Sequence, residues 1–178
     1  MTYEGFEEDW KLILSAAREM DQYLTSNVLL WPLSGQNMPL TPGNLLLAKQ
    51  RIKAAGDKSV NSEIDAIESI YSKHFSAWEE KLTGEIHLRM NQWKNQMDEI
   101  VQQGSVDKTY VYNVRVRVIL SLLGDEMPDE FAKVKDRLNE MDGILLTLTR
   151  RDGFVWDGNL KSAFPQDSYP FLYLTGSK

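Results

Sequence analysis

The 178 residues carry a net charge of −6 and a pI near 5.0, with 42% hydrophobic and 26% charged side chains. That composition fits one soluble domain, residues 1–178, long enough to bury a core, and its acidic balance argues against nucleic acid as a partner, since phosphate contacts need clustered Lys and Arg. With no cysteine, disulfides, thiolate metal ligands and thiol nucleophiles are excluded.

From the N-terminus, Phe6, Trp10, Ile13, Ala17, Met20 and Leu24 recur at helical spacing and predict an amphipathic helix over about 5–27. Acidic residues crowd its first turn, where they suit the helix dipole. Trp31-Pro32 opposes continuation. Residues 31–43, WPLSGQNMPLTPG, then form a long connection rich in proline and glycine. Its apolar members suggest that it is packed down, with Ser34 to Asn37 as an exposed tip. Thr41-Pro42 reads as an N-cap followed by proline in the first turn, opening a short helix to about Ala55 with Gly56 as its stop.

The organising stretch is Asn61 to Gln103, capped by Ser59 or Asn61. Ile64, Ile67, Tyr71, Phe75, Trp78, Leu82, Ile86, Met90, Trp93, Met97 and Ile100 step by three or four and lie on one helical face. The polar residues beside them, Glu85 and Arg89 included, read as a solvated face. Unbroken, this helix is about 64 Å long, more than a round globule of this size accommodates. It must bend, lie along an elongated bundle or meet a partner. Thr83-Gly84 is the expected bend, because glycine beside a β-branched residue weakens a helix.

Residues 107–123 fit two templates. Alternation of Tyr110, Tyr112, Val114, Val116 and Val118 fits a strand; Val111, Val114, Val118 and Leu122 fit one face of a helix running from Asp107 to Gly124. The helical surroundings favour the helix. Pro128 opens a last helix, about 129–151, whose Phe131, Val134, Leu138, Met141, Leu145 and Leu148 make a heptad-like seam crossing Gly143. The remainder, about 152–178, is irregular and aromatic, with prolines at 165 and 170, and reads as an arm draped over a bundle of about 5–151. A hairpin there would be confined to an edge by Pro170. The expected fold is all-α: an elongated bundle of four to five helices with one long central helix, roughly two-thirds helical.

Motifs for nucleotide binding, zinc hydrolysis, serine hydrolysis and calcium binding are missing from the sequence. Its two histidines, His74 and His87, lie about 20 Å apart on a straight helix and share no metal within one chain. We therefore expect no metal and no cofactor. Trp10, Trp78 and Trp93 fall on apolar faces and read as core. Arg115 and Arg117 stand inside an apolar run, so at least one is expected to be buried, answered by a carboxylate or by an anionic ligand. The second option makes Arg115 and Arg117, with Trp31, Gln36 and Asn37 of the connection, the candidate ligand site. Trp156, Phe164 and Tyr173 of the arm are candidate interface residues.

The leading functional expectation is a non-enzymatic interaction or scaffolding protein that forms a homodimer through the long helix or binds another protein. The alternative is an anion-binding bundle, or an enzyme built on one, and a minor one is nucleic-acid binding through Lys49, Arg51, Lys53 and Lys58. An acidic N-terminus without a signal peptide's apolar core, and no run near the ~20 apolar residues of a membrane span, lead to a cytoplasmic expectation without a membrane partner.

Overall fold

A computed structural model describes residues 4–151 and 153–177. Of the described residues 71% are helical and almost none lie in strands, so the all-α class holds. The described residues form six α-helices: α1 (Glu4–Thr25), α2 (Pro42–Ala54), α3 (Asn61–Lys73), α4 (Phe75–Gln103), α5 (Tyr110–Glu126) and α6 (Pro128–Leu148). Two short strands, β1 (Thr149–Arg151) and β2 (Leu174–Ser177), pair antiparallel. The chain divides into two units, residues 1–85 and 86–178, and α4 runs through the division.

In the first unit α1 packs on α2 and α3. Leu12, Ile13, Met20, Leu45, Ala48 and Ile67 are buried on the facing sides, which the helical spacing requires. Helix α2 begins as its sequence predicts: Thr41 is extended and its hydroxyl accepts from the Asn44 N–H at 3.1 Å, with Pro42 in the first turn. It ends on Gly56 at φ +71°, where the Asp57 N–H reaches back to the Ile52 carbonyl.

The central stretch departs from the expectation. It is broken at His74 (φ −111°, ψ 43°), which raises the helix count to six, while Thr83 and Gly84 lie inside the regular helix α4. The break changes the register of the stripe. Tyr71 stacks on Trp78 across it, ring centroids 4.6 Å apart and 7° from parallel, and Phe75 is thrown outward, 58% exposed. From Trp78 to Ile100 the apolar stripe is buried as expected. Gly84 does not bend the helix, and an added Cβ there would meet Leu29 only in ordinary contact, at 3.6 and 3.8 Å. The cap of α3 is also corrected: Val60 occupies the position and gives no side-chain bond, while Ser59 donates its N–H to Asp57.

In the second unit residues 110–126 are helical, because α5 buries Val114, Val118, Ile119, Leu122 and Leu123. Gly124 does not end α5. It lets the Phe131 ring of α6 come so close that a Cβ would lie 2.7 Å from it. Helix α6 crosses Gly143 and turns Leu138, Met141 and Leu145 inward.

The arm folds back on this unit. Its 3-10 turn at Pro170–Tyr173 contacts α5 and α6, and β2 then pairs with β1. Pro170 opens that turn instead of sitting in a strand. Trp156, Phe164, Tyr169 and Phe171 form a chain of edge-to-face rings with centroids 5.1–6.0 Å apart.

Candidate functional site

Each unit holds a buried polar cluster, around Arg117 in the second and around Lys81 and Glu85 in the first. In the second unit α5 points Arg117 inward, leaving it 7% exposed. Its Nε donates to both oxygens of Asp142 on α6, at 2.9 and 3.1 Å, and Nη2 donates to Oδ2 at 2.7 Å. Nη1 donates to Ser121 Oγ at 2.7 Å, and the guanidinium lies 4.2 Å from the centroid of the Phe171 ring. A forked pair of this kind, closed by a π face, satisfies arginine geometry that lysine cannot. The Tyr110 hydroxyl donates to the Phe171 carbonyl at 2.7 Å, so the arm is tied to α5 beside the pair. Burial raises the pKa of Tyr110, the Asp142 charge adds to this, and Arg117 opposes it. Arg115 is only half-buried; two helical positions turn it about 200° from Arg117.

In the first unit the burial falls where the sequence reading placed solvent. Glu85 is 0% exposed and Lys81, one turn earlier, 7%. Arg89, in the other unit, is 9% exposed. The supposed solvated face of α4 is therefore buried at these three positions. Glu85 accepts from the Thr41 hydroxyl at 2.7 Å and from the Gly43 N–H at 2.5 Å, which sets a carboxylate on the N-terminus of α2, where backbone N–H groups lack helical partners. Lys81 does the converse. Its ammonium donates to the carbonyls of Ser26 and Val28, at 2.9 and 2.6 Å, just beyond the end of α1, and lies 4.7 Å from the Tyr23 ring centroid. The Tyr23 hydroxyl donates to Leu29 O at 3.1 Å. Burial raises the pKa of Tyr23, with the Glu85 charge as a second cause, and burial lowers that of Lys81.

The connection 31–43 is held by side chains of α1. Trp31 Nε1 donates to Glu19 at 2.6 Å and Gln36 Nε2 to Ser15 Oγ at 2.7 Å and to the Lys11 carbonyl at 3.2 Å. A backbone bridge between Trp31 and Leu40 closes the loop, and Asn37 is exposed at its tip. Trp31, Gln36 and Asn37 thus share the first unit, and Arg115 and Arg117 the second. Of the arm residues, Phe164 is 0% and Tyr173 6% exposed; the Tyr173 hydroxyl donates to Phe164 O, and half-buried Trp156 donates to Val111 O.

Trp10 is a further correction: it is 39% exposed and donates to Ser59 Oγ. Among the basic residues of α2, Lys49 pairs with Glu68 and Arg51 with buried Asp9. His74 lies 3.4 Å from Asp21, and His87 is exposed. Among the described residues no group of three or more His, Cys, Asp or Glu is arranged to hold a metal ion, and no helix is long and apolar enough to cross a membrane.

Sequence reasoning missed Lys81, Glu85 and Asp142. The available signal was positional: Lys81, Glu85 and Arg89 step by four beside Trp78, Leu82 and Ile86, along one border of the apolar stripe. No family model matches the chain, and neither a curated protein nor a solved structure matches it.

Proposed function

We propose that this chain is a non-enzymatic helical interaction protein that pairs with a second copy of itself through the α3 end of its central stripe. The observation that carries the reading is the exposure of Phe75, 58% in solvent at the break that ends α3, with Ile64, Ile70 and Tyr71 of α3 half-buried. An aromatic ring exposed at a helix end serves a partner as an anchor, and a self-complementary two-fold contact is the commonest arrangement of such a pairing. A second support is the use made of the buried charges. Lys81, Glu85, Arg117 and Asp142 each hold the chain's own backbone or side chains, which is a structural use of charge. A reducing compartment, the cytoplasm, suits a chain without cysteine.

Light scattering at micromolar concentration tests this. The expected mass is twice the 20.5 kDa of one chain, falling to a single chain in Phe75→Glu. A mass of one chain at every concentration would refute pairing, and a dimer indifferent to Phe75→Glu would refute this face.

A further inference from the structure

No further inference is drawn: the strongest candidate, the small polar cleft between the end of α4 and the start of α5, where the Gln96 amide oxygen lies buried without a hydrogen-bond partner among side chains that include Glu99 and Asp107, is an acidic cluster that nothing in the structure ties to a ligand.

Discussion

The Arg117 cluster of the second unit and the Lys81 and Glu85 cluster of the first bury charge in different ways. In residues 86–178 the buried cation Arg117 is answered by another side chain, Asp142, with Ser121 and Phe171 completing the shell. In residues 1–85 buried Asp9 also meets a side chain, Arg51, but two other buried charges reach main chain: Lys81 the two carbonyls beyond α1, and Glu85 the Gly43 N–H beside the Thr41 hydroxyl at the start of α2. The difference decides what each charge is for. An ion pair between side chains can be replaced as a unit by apolar residues at little net change in stability, because both desolvated groups leave together. A charge bonded to main chain cannot, because the peptide groups it satisfies remain after it is gone.

The sharpest way to separate the units is to remove one member of each arrangement. Arg117→Met strands the Asp142 carboxylate, and an expected loss of about 3–5 kcal/mol should appear in urea unfolding followed by circular dichroism. Glu85→Leu leaves the Thr41 hydroxyl and the Gly43 N–H without their acceptor. At about 1–3 kcal/mol for each buried group left unsatisfied, the expected loss is about 3 kcal/mol, reported by the same titration.

Alkali should act on both units alike and so tests whether the polar clusters are as dry as their geometry implies. The pKa values of Tyr23 and Tyr110 are raised above the ordinary 10.0 by burial. Their neutral forms favour the fold, so this stabilisation is complete below pH 10 and declines above it, as the unfolded chain ionises first. The expected decline is about 1.4 kcal/mol per tyrosine for each pH unit above 10. Lys81 acts in the opposite sense: its pKa is lowered from 10.5, so stability recovers slightly as pH climbs to that value. Tyrosinate absorbance appearing together with loss of helix would support this; ionisation of every tyrosine while the helix signal is intact would contradict it.

The smallest effects come from two helical glycines, again one in each unit. Gly124→Ala places a methyl group against the Phe131 ring and should cost about 1–3 kcal/mol. Gly84→Ala meets only ordinary contact with Leu29 and should stabilise by up to about 1 kcal/mol through helix propensity. Thermal unfolding of the two variants should therefore shift in opposite directions.

How far the sequence could be read follows from the range of the interactions. Helix class, the Thr41-Pro42 start of α2 and the burial of Trp78 and Trp93 depend on neighbours within a few turns, and periodicity exposes them. Arg117 within an apolar run was legible as a buried cation, but its partner Asp142 lies 25 residues away on a helix of otherwise ordinary charge pattern. The break at His74 has no glycine or proline to mark it; the Tyr71–Trp78 stack lies across it. Glu85 was hidden for the same reason as Asp142. Its bonds are made to Thr41 and Gly43, 44 and 42 residues away, and a local pattern cannot distinguish a buried helix-capping carboxylate from a solvated one. Phe75 belongs to the apolar stripe by spacing, and the same unmarked break turns it into solvent.

The contrast between exchangeable and unexchangeable charge is most directly tested by completing the substitution in the second unit. The double variant Arg117→Met with Asp142→Leu should unfold in urea within about 1 kcal/mol of the natural chain, recovering most of what Arg117→Met alone loses. A double variant as unstable as the single one would contradict the account, because the contacts of Arg117 to Ser121 and Phe171, and not its pairing with Asp142, would then carry its contribution.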